Sequence, residues 1–222
     1  MRVIANGDEI QPALLANSCD WTGRIPNPQV RNQGAFQACV SCAIAGMIEA
    51  RYWLSYEQQI RVVPGYIHNC LFDIHDHSTS VDPGDALDRI QQNGIARGND
   101  DRIPVPDDVC ASTELLRIDD CGWVVGRNAI LNDLFEKGPL LATMTVEENS
   151  FRSLGNEIYQ KPGDGGRTYD HSVLLVGYDL DEGWVRFVNS FGTAWGVGGA
   201  ARARFESGGL LRDFSAAAAL FG

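Results

Sequence analysis

The sequence lacks a hydrophobic run that could cross a membrane. A transmembrane helix needs ~18–20 consecutive apolar residues, and the longest candidate, residues 172–178, has only the length of a strand. Basic residues are also few: the formal net charge is −11, and the 18 Lys and Arg side chains are scattered without a run. An acidic surface repels phosphate groups, so we expect neither a membrane nor a nucleic acid as a partner.

The N-terminus shows no basic segment followed by an apolar one, so no signal peptide is visible there. The six cysteines are too sparse in 222 residues for a disulfide scaffold, although one or two bridges stay open. The redox compartment is therefore undecided. The cysteines are Cys19, Cys39, Cys42, Cys70, Cys110 and Cys121.

Support for a metal or cofactor site is lacking as well. Cys39 and Cys42 form one CxxC pair without a second, and His75 and His77 in "DIHDH" are the only nearby candidate ligands. A tetrahedral zinc site needs several ligands at suitable spacing. We therefore interpret His75 and His77 as members of a solvated loop and His68 as a surface or packing residue. We expect no metal and no cofactor.

The first half of the chain is predicted to be mainly helical. Apolar residues at positions 40, 43, 44, 47 and 48 recur at three- and four-residue spacing, which indicates a helix that starts at Cys39 and buries one face. "VDPGDALDRIQQNG" predicts a second helix, with Asp82 as its N-cap, Pro83 in its first turn and Gly94 at its end. Residues 71–80, "LFDIHDHSTS", are predicted to form a polar loop.

The second half is predicted to consist mainly of strands. One helix is expected from Asn128 to Gly138, and strand-like runs follow it. Asp181-Glu182-Gly183 between two of these runs is a hairpin signal. Helices followed by a mostly antiparallel sheet predict an α+β chain with two lobes and a ligand-binding cleft between them. The strand-like runs are "PLLATMTV", "HSVLLVGYDL", "WVRFVNS" and "ARARF", and the later "SAAAAL" is expected to be helical or simply packed.

Cys39 and Cys42 differ in their expected environments. The thiolate, rather than the thiol, is the nucleophile in cysteine chemistry, and a helix N-terminus favours the thiolate. Cys39 lies where the helical pattern starts, whereas Cys42 lies one turn further in and closer to the buried stripe. We therefore take Cys39 as a candidate nucleophile, with a buried helix cysteine as the alternative. Cys42 is taken as a core residue, and only by exception as a redox or metal partner.

Three further residues could serve such a nucleophile. His171 opens an apolar strand and Asn189 ends the next one, so a hairpin can make them neighbours, and the amide could orient the imidazole. Gln33, six residues before Cys39, is placed to donate its amide to an oxyanion. The alternative role for Gln33 is to brace a turn. His171 lies 132 residues after Cys39, and Asn189 lies 150 residues after it.

The segments around these residues resemble one known family. "NQGAFQACVSCAIAGMIEA" is similar to the active-site segment of papain-like (cathepsin-type) cysteine proteases, in which Gln-Gly precedes a nucleophilic Cys that opens a helix. "DHSVLLVGYD" resembles the histidine strand of that family, and "VNSFGTAWGVGGAARARF" resembles its Asn-Ser-Trp-Gly segment. The spacing agrees with the ~130–150 residues already known to separate the family's Cys from its His and Asn. The similarity covers residues 20–205 and is weaker in the middle.

The resemblance implies a fold, a reaction and a site. The fold would be α+β with two lobes, a helical N-terminal lobe and an antiparallel β-barrel-like C-terminal lobe, with the active site in the cleft between them. Cys39 would be the nucleophile, His171 the general base and acid, and Asn189 the residue that orients the imidazole. Gln33 and the Cys39 backbone N–H would form the oxyanion hole. The resting pair would be a thiolate and an imidazolium.

The chain also departs from the family pattern. Phe36 stands where the family has a disulfide-forming Cys, and "STSVDPGDAL" replaces a Cys-Asn-Gly-Gly stretch whose Gly-Gly strand binds substrate backbone. Val40 replaces the aromatic residue after the nucleophile, and Phe191 replaces the Trp that shields the Asn. Another family disulfide is implied, because Cys70 and Cys110 stand where its partners do. We predict this bridge in an oxidising compartment.

We therefore expect residues 1–222 to form a single papain-like catalytic domain, with a mainly helical lobe at about 20–115 and a mainly β lobe at about 116–215. The expected function is a cysteine peptidase that hydrolyses peptide amide bonds through an acyl-enzyme. Two alternatives stay open. One is a thiol acyltransferase, transpeptidase or amide synthase that uses the same Cys39 acyl-enzyme, and the other is an inactive papain-like binding module.

The expected partner is a peptide or protein substrate, and the expected state is a monomer. No inhibitory prosegment precedes the catalytic segment, and the chain resembles a divergent member without propeptide. Either a prosegment was trimmed, or activity is controlled in another way. The expected location is that of a secreted or lysosome-like mature form, or of a secreted bacterial effector. A cytoplasmic location stays open because no signal peptide is visible.

Overall fold

The computed structural model describes residues 1–6, 16–26, 30–163, 165–211 and 216–221. Helices are the longest elements of the first half, and the helix Cys39–Tyr56 is the longest of them. In chain order the elements of this half are β1 (Arg2–Asn6), β2 (Ser18–Asp20), α1 (Cys39–Tyr56), a π-helical turn (Tyr66–Leu71), α2 (Pro83–Asn93), β3 (Ile95–Ala96), α3 (Asp107–Cys110) and β4 (Leu115–Leu116).

Strands dominate the second half, so the predicted α+β class is confirmed. Its elements are β5 (Asp120–Val125), α4 (Arg127–Lys137), β6 (Leu140–Glu147), α5 (Glu148–Arg152), β7 (Ile158–Tyr159), β8 (Thr168–Asp179), β9 (Trp184–Val188), β10 (Ala200–Arg204), a 3-10 turn (Ser207–Gly209) and β11 (Ala216–Leu220).

Nine strands of the described chain form one sheet in the order β1-β5-β11-β6-β8-β9-β10-β7, with β2 paired to β8. The pairings are antiparallel, as expected, except that β1 runs parallel to β5 and β7 runs parallel to β10. β8 and β9 form the predicted hairpin, and Gly183 in its turn has a φ of 70°, which glycine adopts without strain. The hairpin brings the strand that carries His171 beside the strand that ends before Asn189.

The alanine run near the C-terminus is a strand, so the expectation of a helix is wrong there. β11 lies between β5 and β6 and pairs with both in antiparallel register. The backbone hydrogen bonds available from two neighbouring strands override the helix propensity of alanine. Residue 215, the serine of "SAAAAL", lies outside the described residues.

The central helix α1 begins at Cys39, as predicted, but it is buried on more than one face. Its buried residues run almost without interruption from Cys39 to Ala50, because the helix packs along β6 and β8 as well as against the helical half. Gly46 permits the close approach to β8, since a Cβ atom there would lie 2.9 Å from Leu174 Cδ2. Arg51 anchors the far end of α1 through a buried ion pair with Asp133 of α4.

The start and end residues of α2 and α4 agree closely with those that the sequence predicts. Asp82 caps α2, and its side chain accepts hydrogen bonds from the backbone N–H groups of Gly84 and Asp85. Gly94 ends α2 with a φ of 87°. α4 begins at Arg127, one residue earlier than expected, and ends before Gly138.

The disulfide between Cys70 and Cys110 is present and ties the π-helical turn to α3. No helix in the described part of the chain has the length and apolar character needed to cross a membrane.

Candidate active site

Cys39 occupies the first position of α1 and is 6% exposed. Burial alone would raise the pKa of its thiol, but the hydrogen bond with His171, the charge of His171 and the backbone N–H groups of Ser172 and Val40 outweigh burial. The pKa of Cys39 is therefore lower than usual. The free N–H groups and the dipole at the start of α1 also favour an anion there. This position is suited to a thiolate.

Cys42 has the opposite character. Burial raises the pKa of its thiol to about 12, although the nearby Arg31 acts to lower it. Both Cys39 and Cys42 are free thiols. Cys42 is thus buried in the core, as expected. Two other titratable groups interact electrostatically with Cys39: the thiol of Cys42 and the phenol of Tyr169. Burial also raises the pKa of Tyr169.

His171 lies on β8, is 2% exposed and is held by Asn189, which follows β9. His171 Nε2 lies 2.7 Å from Asn189 Oδ1. The backbone N–H of Ser190 donates to the same Oδ1 at 2.7 Å. Because a backbone N–H can only donate, this contact fixes the orientation of the Asn189 amide. His171 Nε2 therefore donates to Oδ1, and Nδ1 is the nitrogen left for the hydrogen bond with Cys39.

Gln33 is hydrogen-bonded to the segment that follows β9. Its backbone N–H donates to the Ser190 carbonyl at 2.9 Å, and its Oε1 accepts from Ser190 Oγ at 2.5 Å. Its Nε2 donates to the Phe36 carbonyl at 2.6 Å. An amide nitrogen carries two hydrogens, so one of them stays available for another acceptor. The side chain is 8% exposed and held at both ends, which gives it one orientation.

Aromatic rings surround the His171–Asn189 hydrogen bond. The ring centroids of Phe191 and Phe151 lie 5.0 and 5.3 Å from the imidazole. Trp195 braces this cluster, because its Nε1 donates to the Phe151 carbonyl at 2.9 Å. Phe191 therefore packs against the imidazole, beside the His171–Asn189 hydrogen bond that the sequence predicts it to shield. Apolar cover strengthens the hydrogen bond by excluding water.

Phe36 contacts His77, the polar-loop residue that directly precedes the segment "STSVDPGDAL". Its ring centroid lies 4.1 Å from that of His77 and 6.2 Å from that of His68. His77 and His75 are exposed, as expected for a solvated loop, and His75 pairs with Asp73. His68 is fully buried, so it is a packing residue, and burial lowers its pKa. The contact between Phe36 and His77 links this loop to the Cys39 segment.

A groove of about 720 Å³ borders the site. It begins at Gln33 and Phe36, passes His77 and continues along Asn99 to Ile103. This volume lies within the ~300–1,000 Å³ of ligand pockets. The lining of the groove includes Gln33 but neither Cys39 nor His171.

No group of three or more His, Cys, Asp or Glu side chains that could hold a metal ion occurs among the described residues. The chemistry that the arrangement can perform is nucleophilic: a favoured thiolate, an imidazole that can give and take a proton, and an amide donor fixed nearby.

The structure thus brings the four predicted residues together: hydrogen bonds join His171 to Asn189 and Gln33 to Ser190, and His171 lowers the pKa of Cys39. It adds two residues that sequence reasoning missed. Ser190 joins Gln33 to the Asn189 segment, and Phe151 packs on His171. Ser190 stands in the quoted "VNSFGTAWG" segment, so its position was visible although its partner was not. Phe151 comes from α5 and carries no signal in the sequence.

Comparison with known protein families shows what the chain is similar to. A family described as "Papain family cysteine protease" matches residues 15–210. Among individual relatives, a cysteine protease of Blomia tropicalis is 24% identical over 200 residues, which cover 83% of this chain and 60% of that protein. Procathepsin L of Rattus norvegicus is 25% identical over 210 residues, with coverage of 85% and 61%. The chain therefore spans about 60% of the length of these curated relatives.

Solved structures show the same fold. The digestive procathepsin L 3 of Tenebrio molitor larval midgut superposes with a TM-score of 0.75 at 18% identity, covering 100% of this chain and 73% of that one. The cysteine protease CMS1MS2 of Carica candamarcensis, solved in complex with E-64, gives a TM-score of 0.74 at 20% identity, with coverage of 93% and 99%. At these identities the superpositions establish the fold.

Proposed function

The chain belongs to the papain family of cysteine proteases, and we propose that it is a cysteine-type peptidase in which Cys39 is the nucleophile. The observation that carries this proposal is the position of His171, which is hydrogen-bonded to Asn189 at 2.7 Å and lowers the pKa of Cys39. We further propose that the chain forms one catalytic domain, with a helical lobe at about 20–115 and a β lobe at about 116–215.

The first half of the reaction forms an acyl-enzyme. The Cys39 thiolate attacks the carbonyl carbon of a peptide bond, and the carbonyl oxygen becomes an oxyanion. The free N–H of the Gln33 amide and the backbone N–H of Cys39 stabilise that oxyanion. His171, protonated at Nδ1, then gives its proton to the amine that leaves as the C–N bond breaks. A thioester on Cys39 remains.

The second half regenerates the thiolate. His171, now neutral, takes a proton from a water molecule that attacks the thioester carbonyl. Collapse of the second oxyanion releases the carboxylic acid and returns the thiolate–imidazolium pair. Asn189 Oδ1 accepts the hydrogen bond from His171 Nε2–H throughout, so Nδ1 faces the reacting atoms in both halves.

The substrate class that fits this site is a peptide or protein in extended conformation. The groove from Gln33 to Ile103 has the volume for it. Where the family has a glycine-rich strand, this chain has the segment "STSVDPGDAL", and His77, the residue before it, packs against Phe36. We propose that this side of the site selects different substrate side chains from those selected by family members that have the glycine-rich strand.

The experiment that tests the proposal follows the fate of the acyl group. The protein is incubated with a peptide mixture in ¹⁸O-labelled water, with and without an added primary amine, and the products are read by mass spectrometry. Hydrolysis predicts one ¹⁸O atom in each new carboxyl group, whereas acyl transfer predicts an amine adduct.

Two variants calibrate this experiment. Cys39→Ala should abolish cleavage, because loss of a catalytic nucleophile costs ~10⁴-fold or more. Cys121→Ala removes another free, buried cysteine that belongs to β5, and it should cleave like the wild type. Equal cleavage by the wild type and Cys39→Ala would refute the proposal, and absence of any product from the wild type would favour a binding module.

A further inference from the structure

A small cavity lies where α1 meets β8 and the segment after β9. Its volume is about 10 Å³, and its lining includes Arg31, Cys42, Gly46, Leu174, Asn189 and Ser190. A volume of ~10–15 Å³ holds one water molecule, provided that polar groups face it. The polar groups on this lining therefore decide what the cavity can do.

The first polar group is the amide nitrogen of Asn189. Asn189 is 3% exposed, and its Oδ1 is already used by His171 and by the backbone N–H of Ser190. Those two contacts fix which end of the amide is oxygen, so the other end is Nδ2. This Nδ2 is buried and has no partner among the described residues.

The second polar group is one arm of the Arg31 guanidinium. Arg31 is 3% exposed; its Nε donates to Asp101 at 2.8 Å, and its Nη2 donates to Glu49 at 2.6 Å. The remaining nitrogen, Nη1, is buried and has no partner in the described part of the chain. Gly46 lies beside this nitrogen, because a Cβ atom built there would lie 3.8 Å from Arg31 Nη1.

Two buried donors from different lobes thus line one cavity that has room for one small acceptor. Burying a donor without an acceptor is unfavourable, and the oxygen of a water molecule can accept from both. An anion is a poorer occupant, because the charge of Arg31 is balanced: Arg31 and Arg61 together face Glu49 and Asp101. The lining therefore favours a neutral acceptor.

We propose that this cavity is a buried water site, and that Arg31 acts through the water as a positioning residue for Asn189. The inference rests on the proposed function, because Asn189 matters through its hydrogen bond with His171. The water would accept from Arg31 Nη1 and Asn189 Nδ2 and so hold the Asn189 amide in the plane that His171 requires. The α1 side of the molecule would thereby help to orient an imidazole on the β side.

A matched pair of variants isolates this role. Arg31→Lys keeps a positive charge between Glu49 and Asp101 but lacks the planar fork that supplies Nη1. Arg61→Lys is the control, because Arg61 pairs with the same two carboxylates and does not line the cavity. Each variant is measured by kcat and KM for a peptide substrate, and by the pH dependence of Cys39 alkylation with iodoacetamide.

Arg31→Lys should lower kcat ~10-fold or more with KM little changed, since small misplacement of a catalytic group is costly. The hydrogen bond from His171 holds the pKa of Cys39 down, so a loosened imidazole should move the acid limb of the alkylation profile to higher pH. Arg61→Lys should leave both readouts within twofold of the wild type. Equal changes in the two variants would overturn the inference and point to a general loss of packing.

A crystal structure of the wild-type chain decides the matter even if Arg31→Lys does not fold. A density peak within ~2.7–3.2 Å of both Arg31 Nη1 and Asn189 Nδ2 supports the water site, and a cavity without that peak overturns it. The peptidase proposal fails separately, if wild-type Cys39 shows no alkylation advantage at low pH.

Discussion

Replacement of Gln33 by alanine tests the oxyanion hole. Gln33 Oε1 accepts from Ser190 Oγ, Nε2 donates to the Phe36 carbonyl, and the side chain is 8% exposed. An amide held in this way presents its free N–H in one direction, without reorganisation during the reaction. Little water can take its place after truncation, because the position is largely closed to solvent.

The magnitude follows from this geometry. Loss of one preorganised oxyanion donor lowers kcat ~10²–10³-fold, and we expect Gln33→Ala to fall in this range. Ser190→Ala is the graded comparison, because it keeps the Gln33 amide and removes only the bond at Oε1. A neutral hydrogen bond of this type contributes about 0.5–1.5 kcal/mol, which corresponds to a decrease of about 2- to 10-fold.

The assay compares two reactions of the same thiol. Peptide hydrolysis passes through an oxyanion, whereas alkylation by iodoacetamide displaces iodide and forms none. Gln33→Ala should therefore slow hydrolysis by the full factor and leave the alkylation rate of Cys39 within about twofold. If alkylation fell by the same factor as hydrolysis, Gln33 would act on the thiolate or on the fold, and the oxyanion assignment would be refuted.

Three other predictions concern the surroundings of the site and the stability of the fold. Phe191→Ala should admit water to the His171–Asn189 hydrogen bond and lower kcat ~10-fold. Phe191→Trp should keep the hydrogen bond covered and leave kcat near that of the wild type. Equal kcat values for the two variants would contradict the shielding role. Reduction of the Cys70–Cys110 bridge, whose partners are 40 residues apart, should lower the free energy of unfolding by about 4 kcal/mol, and an unchanged urea midpoint would count against this. Burial raises the pKa of Asp133, but Arg51 and Lys137 outweigh it and hold the pKa below its usual range. Its carboxylate therefore stabilises the fold above the unfolded pKa of ~3.9 and loses this effect as the pH falls through the lower folded value. Asp133→Asn should lower the free energy of unfolding, measured by urea titration, by about 3–5 kcal/mol at pH 7 and by less at acid pH. An equal decrease at both pH values would be inconsistent with the ion pair.

Local signals in the sequence predict much of this fold. The start of α1 at Cys39, the cap of α2 at Asp82 and the hairpin at Gly183 each depend on a few neighbouring residues. The same hairpin makes His171 and Asn189 neighbours, which is why two members of the site could be paired before the structure was known. Recognition of the family motifs supplied the role of Gln33.

Other features depend on residues distant in the chain and leave no local pattern. β11 is a strand because β5 and β6 lie on either side of it, although its alanines favour a helix. α1 is buried on several faces because the sheet covers the side that periodicity assigns to solvent. The contact of Phe36 with His77 and the unpartnered nitrogens of Arg31 and Asn189 arise from packing between segments, which spacing alone does not show.

The central claim is that Cys39 is a thiolate held by His171. It is tested by labelling the protein at about pH 6, below the ordinary thiol pKa of ~8.5, with a limiting amount of a thiol-reactive electrophile, followed by peptide mapping. Cys39 alone should react quickly, and His171→Ala should abolish that preference, because the hydrogen bond and charge of His171 lower the pKa of Cys39. Equal labelling of Cys39 and Cys42, or no labelling of either, would contradict the account.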